Sequence, residues 1–229
     1  MTIDSPVASR APAAPANPPA QPADPRVRAM RLPAFFDAAP RILMQDALAE
    51  TLGAAEGGII EYTYADAVKL AGHSCPTVAG AYLMTRAALA HLYPRELPQR
   101  GGIRVELCGA QEEGVVGVVA SVATLITGAT GPGGFKGLAG RHVRRGLLSF
   151  GVPMRGEMRF TRADSQATVE VSFHLDALPR SPALGGLMQA GLAAGAPAEA
   201  REAFARAWQE RVRAILLDHA DDPELVSVE

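Results

Sequence analysis

The chain has 229 residues, 48% of them hydrophobic and 20% charged, with 22 Lys and Arg against 24 Asp and Glu. That near balance gives no global field for drawing in nucleic acid or acidic membranes, and the length suits one globular domain that needs neither disulfides nor structural metal to stay folded. No run approaches the roughly 18 apolar residues of a membrane span, and no apolar core follows a basic start at the N-terminus, so a soluble, cytoplasmic protein is expected.

Residues 1–31 are Ala, Pro and small polar residues. Pro6, Pro12, Pro15, Pro18, Pro19, Pro22 and Pro25 remove backbone donors, so a disordered tail is expected there, with one domain over 32–229. From 34 to 52, Phe35, Phe36, Ile42, Leu43, Leu48 and Leu52 predict a helical stripe interrupted by Pro40. The β-branched and aromatic run 59–64 predicts a strand, and 65–70 a helix that stops at Gly72-His73-Ser74-Cys75-Pro76. Pro76 suits the first turn of a new helix running to Pro94, which places Cys75 at a helix N-terminus. Ile103, Val105 and Leu107 alternate with Arg104, Glu106 and Cys108, so a half-buried strand is expected, with the thiol and Glu106 on one face. Residues 111–126 are apolar almost all round, as in a helix buried on most sides over a sheet. A glycine-rich loop over 128–140 leads to expected strands at 147–150, 155–162 and 167–176, the last two a hairpin. Region 184–196 is ambiguous. Residues 197–219 predict an amphipathic C-terminal helix with Phe204, Trp208, Val212 and Ile215 as its stripe. Together these elements predict an α+β fold, a mixed β-sheet packed with helices.

The chain's two cysteines, Cys75 and Cys108, are too few for a disulfide framework. With His73 they form a Cys2His set, and three protein ligands with an open fourth position are the pattern of a catalytic zinc site. Thiolate also suits copper(I), and imidazole and thiolate both ligate haem iron. Glu106 or water would complete the site. The same residues serve a thiol enzyme in which Cys75 or Cys108 is the nucleophile, His73 its base and Glu106 a neighbouring carboxylate. A helix N-terminus favours thiolate for either role, and both cysteines also suit a purely structural part as small apolar fillers. In the glycine loop, Gly133 and Gly134 let a ligand approach the backbone, and Lys136 with Arg141, Arg144 and Arg145 offers charge to a small anion. It is not a Walker A loop, because Lys136 precedes Gly137 rather than Ser or Thr. His91, His142, His174 and His219 read as surface residues. Tyr62, Tyr64 and Trp208 read as core or interface rather than platforms for nucleic-acid bases.

Gly72-His73-Ser74-Cys75-Pro76 with Gly80 and Tyr82, a strand ending Cys108-Gly109, and Thr127-Gly128-Ala129-Thr130 leading into Gly134-Phe135-Lys136-Gly137 together resemble the FmdE-like family, which takes its name from a component of formylmethanofuran dehydrogenase. The similarity covers roughly residues 65–151. It implies an α+β core similar to the catalytic domain of glyceraldehyde-3-phosphate dehydrogenase, a metal site at His73, Cys75 and Cys108 with zinc foremost, and a homodimer. The chain departs from the family's pattern at Ala129, where a third Cys is usual, and at the Gln111 region, where an Asp is common, and its two cysteines leave none for a C-terminal zinc ribbon. Those departures argue against a place in an intact dehydrogenase complex. The resemblance therefore implies a metal-binding protein of accessory or catalytic role, with a thiol enzyme acting on a small anionic substrate and an accessory partner-binding module as the alternatives.

Overall fold

Pro40 ends the first periodic segment rather than interrupting a helix. In the computed structural model, which describes residues 31–179 and 181–229, Ala34–Ala38 is one 3-10 turn and the chain beyond Pro40 is extended. Strand β1 (Ile42–Gln45) pairs antiparallel with β2 (Ile59–Tyr62), and only the short α1 (Ala47–Thr51) lies between them. The expected helix over 34–52 is thus corrected. Buried Ile42 and Met44 alternate with exposed Leu43 and half-buried Gln45, a period of two that the flanking phenylalanines and leucines hide in the sequence. Asp46 caps α1 by accepting from the Leu48 and Ala49 N–H groups at 2.9 and 3.2 Å.

Helix α2 (Tyr64–Ala71) opens with a Thr63/Asp66 capping box and closes on Gly72 at φ 75°, a left-handed position that glycine takes without strain. Four residues later α3 (Pro76–Leu92) begins with Pro76 in its first turn and Cys75 as N-cap. Then come β3 (Ile103–Leu107), α4 (Val116–Thr127), β4 (Leu148–Ser149), β5 (Met158–Arg162) and β6 (Thr168–Phe173). The ambiguous region holds α5 (Leu184–Leu192). The C-terminal helix α6 (Ala198–Arg213) runs into a π-helical turn, Ala214–Asp218, before a strand the sequence did not suggest, β7 (Val226–Val228).

The larger sheet has the order β4-β3-β5-β6-β7, parallel only between β3 and β4. Ile103, Val105 and Leu107 of β3, Met158 and Phe160 of β5, and Val169 and Val171 of β6 bury one face of it. Helix α3 lies against β6, β7 and α4 and is buried along most of its length. Its contact with the sheet is close because Gly80 backs onto the Phe173 ring, where a Cβ would sit 2.5 Å from Cδ1. Helices on an open mixed sheet are the expected α+β class. Residues 32–229 cluster as one unit. The tail expected over 1–31 lies outside the described residues except for Arg31. Among the described residues no helix is long and apolar enough to cross a membrane.

Candidate functional site

The Gly72–Pro76 break is held from two sides. Trp208 Nε1 and Gln209 Nε2 of α6 donate to the Ser74 carbonyl at 3.0 and 3.2 Å. The Ser74 hydroxyl donates to Gln209 Oε1 at 2.9 Å and lies 3.0 Å from the Tyr64 hydroxyl. The Ser74 proton is committed to Gln209, so Tyr64 donates in that second contact. Burial pushes the Tyr64 hydroxyl far above its ordinary range, which keeps it a donor. Tyr64 is in turn packed edge-on between Phe36 and Tyr82. The backbone at Ser74 is therefore fixed by α2 and α6 before Cys75 starts α3.

This loop lines a groove of about 580 Å³ that holds both His73 and Cys75. Its other walls are apolar: Val115 and Val118 at the start of α4, Leu192 from α5, and Phe204 and Trp208 from α6. Cys75 is 9% exposed and His73 lies at the surface. His73 Nδ1 is 3.0 Å from the Ala71 carbonyl. A carbonyl only accepts, so Nδ1 carries the proton of that bond and a neutral ring keeps its lone pair at Nε2.

Cys108 does not line this groove. It follows Leu107 by one residue, so the alternation that buries Ile103, Val105 and Leu107 turns its thiol to the sheet's other face with Glu106. It is exposed there, with Sγ 3.9 Å from the Met154 carbonyl. Glu106 sits opposite Arg159 on β5 and makes an ion pair with it at 3.6 Å. The three expected donors are not gathered: among the described residues no group of three or more His, Cys, Asp or Glu is placed to hold a metal. His73 and Cys75 line one groove, and the expected Cys2His set with an open fourth position is not assembled, because Cys108 lies outside that groove.

The glycine loop is a separate structure. Gly134 is forced by proximity, since a Cβ there would lie 1.6 Å from Thr130 Oγ1, whereas one on Gly133 would meet open space. Gly133 lines a second cavity, of about 500 Å³, with Gly131, Pro132 and α4. Lys136, Arg141 and Arg145 are exposed and have no carboxylate partner among the described residues. Arg144 departs from the expected anion set, because it is buried against Asp46 with Nη2 at 2.6 Å from Oδ1. The sequence carried little sign of the residues that frame the groove: Ser74 and Gln209 are 135 positions apart and become partners only through the packing of α6. No family model and no curated protein matches the chain.

Proposed function

We propose that the chain is an FmdE-like metal-binding protein whose centre is the His73–Cys75 pair, with imidazole Nε2 and thiolate Sγ as its donors. The Nδ1 contact to the Ala71 carbonyl carries this reading, because imidazoles that ligate metals are commonly oriented by a hydrogen bond from their other nitrogen. With two protein donors, zinc would keep its remaining positions for water or substrate. Copper(I) suits the thiolate, and haem iron takes a single axial imidazole or thiolate beside an apolar wall such as the one Val118, Phe204 and Trp208 supply. Metal content of untagged protein and the absorption shift on adding haemin test the site together. His73→Ala and Cys75→Ser should each lose binding, while Cys108→Ser keeps it. Absence of stoichiometric metal and of any haemin shift in the unmodified protein would remove the proposal.

A thiol-dependent enzyme is the second reading, favoured by the same lone pair: Nε2 can take a proton from a thiol on the wall of a substrate-sized groove. Slow alkylation of Cys75 in metal-free folded protein would argue against it. Exposed Val115 and Leu192 on the rim, 54% and 67% accessible, support self-association into a homodimer, which sedimentation would measure. An accessory, partner-binding role in the cytoplasm is compatible with either chemistry.

A further inference from the structure

The groove beside Cys75 is distinguished by what its walls lack. Among the described residues that line it there is no Asp, Glu, Lys or Arg, although those types make up 20% of the chain. The cations expected to meet a small anion, Lys136, Arg141 and Arg145, line neither this groove nor the cavity at the glycine loop. An anion seated beside Cys75 would therefore give up water with no lining cation to answer it.

The walls do present apolar area that water now covers. Val115, Met188 and Leu192 line the groove and are 54%, 42% and 67% exposed. Phe204 and Trp208 complete that surface, their ring centroids 5.6 Å apart and their planes inclined at 52°. The indole N–H of Trp208 is committed to the Ser74 carbonyl at 3.0 Å, so with its one donor spent the ring offers the groove carbon surface alone. Phe204 is held from the other side by Gly191 of α5, where a Cβ would stand 2.7 Å from Phe204 Cβ. Two rings fixed in this way are a preformed surface for a further ring, and a volume of about 580 Å³ suits a ligand of several rings. We infer that the groove binds one uncharged aromatic molecule, packed against Phe204 and Trp208. This names a ligand class for the groove of the proposed His73–Cys75 centre; it rests on that reading for its place but not on metal at those donors.

N-phenyl-1-naphthylamine and 1-anilinonaphthalene-8-sulfonate share one ring skeleton and differ by a sulfonate, so together they separate ring packing from charge. Trp208 is the only tryptophan in the chain and lines the groove, so energy transfer from it to either probe localises binding there. With the full, chelator-treated protein at about pH 8, where an ordinary imidazole is neutral, the amine should bind saturably at one molecule per chain. The sulfonate should bind at least about tenfold more weakly. Phe204→Leu keeps an apolar side chain and removes a ring, and should weaken the amine about three- to tenfold. Leu192→Lys, at an exposed position outside the core, should strengthen the sulfonate and weaken the amine. His73→Ala should leave amine binding within about twofold even where it removes metal, so that failure of the metal site and failure of this inference give different results. No saturable transfer to the amine, equal affinity of the two probes for the unmodified protein, or an unaltered amine affinity in a folded Phe204→Leu would each overturn it. Release of the amine as protein concentration rises would assign the groove to a second copy of the chain and overturn it as well.

Discussion

Asp46 and Arg144 meet across 98 positions of sequence, Oδ1 to Nη2 at 2.6 Å, and both are buried. Arg100 takes the other carboxylate oxygen at 2.9 Å and donates as well to the Leu125 and Ile126 carbonyls at the end of α4. One carboxylate thus ties β1, the approach to β3, the end of α4 and the segment after the glycine loop. Among the described residues Arg144 Nε and Nη1 have no partner, and Nη1 lies where a side chain on Gly101 would stand, 1.7 Å from its Cβ.

Removing the shared carboxylate should leave two guanidinium groups facing each other with no counter-charge. Asp46→Asn is expected to cost about 3–5 kcal/mol in urea denaturation, the range for breaking a buried pair. Arg144→Met should cost less, because it removes the unpartnered Nε and Nη1 while Arg100 still answers Asp46. A larger loss for Arg144→Met would show that the cluster is held by packing rather than by charge.

The same residue sets an acid limit. Burial alone raises the Asp46 carboxyl, but the Arg100 hydrogen bond, the Ala49 N–H and the charges of Arg144 and Arg100 outweigh it and hold the group below its ordinary value of 3.8. A carboxyl depressed in the folded state stabilises it above the unfolded value, and that contribution is lost as pH falls through the folded value. Stability should therefore be insensitive to this group near neutrality and decline below about pH 4. Asp46→Asn, already weakened, should show a shallower decline; equal slopes in urea midpoints between pH 2.5 and about 5 would refute the assignment.

What was legible in the sequence was whatever local rules control. Pro76 with Cys75 before it marked the start of α3, the alternation of Ile103 to Leu107 marked β3, and the runs 155–162 and 167–176 marked the β5–β6 hairpin. Strand β1 was misread because four residues carry little periodicity and apolar neighbours on both sides complete a false helical stripe. The site was half legible for the same reason. His73 and Cys75 share a groove because they are two positions apart, whereas the placing of Cys108 depends on which sheet face its strand turns inward. Arg144 looked like one more cation of the basic loop until Asp46, nearly a hundred residues earlier, was packed against it.

Gly80 tests how closely α3 lies on the sheet. A methyl group there would stand 2.5 and 2.6 Å from Phe173 Cδ1 and Cε1, inside van der Waals contact, so Gly80→Ala should lose about 1–3 kcal/mol despite alanine's better helix propensity. Gly72→Ala meets no atom but must hold φ at 75°, and should cost about 1–2 kcal/mol by conformation alone. Phe173→Leu in the same chain should recover part of the Gly80→Ala loss and none of the Gly72→Ala loss, as coupling between touching residues requires.

The grip of α6 on the Ser74 carbonyl should govern access to Cys75. Trp208 and Gln209 each donate one hydrogen bond to the residue that precedes the thiol, at 3.0 and 3.2 Å, and Cys75 is buried while Cys108 is exposed. An alkylating reagent should therefore label Cys108 promptly and Cys75 only through local opening of the loop. Trp208→Phe keeps most of the ring's apolar contact and deletes the indole N–H, so it should remove about 0.5–1.5 kcal/mol of the restraint. Cys75 labelling should then accelerate by about two- to tenfold, with Cys108 unchanged as the internal standard when each site is followed by peptide mass. Gln209→Leu, which loses both the carbonyl contact and the acceptor for the Ser74 hydroxyl, should accelerate Cys75 further. If neither variant alters the Cys75 rate while both keep the unmodified protein's melting temperature, α6 does not control the loop, and the order in the Gly72–Pro76 segment comes from Tyr64 and the helix ends alone.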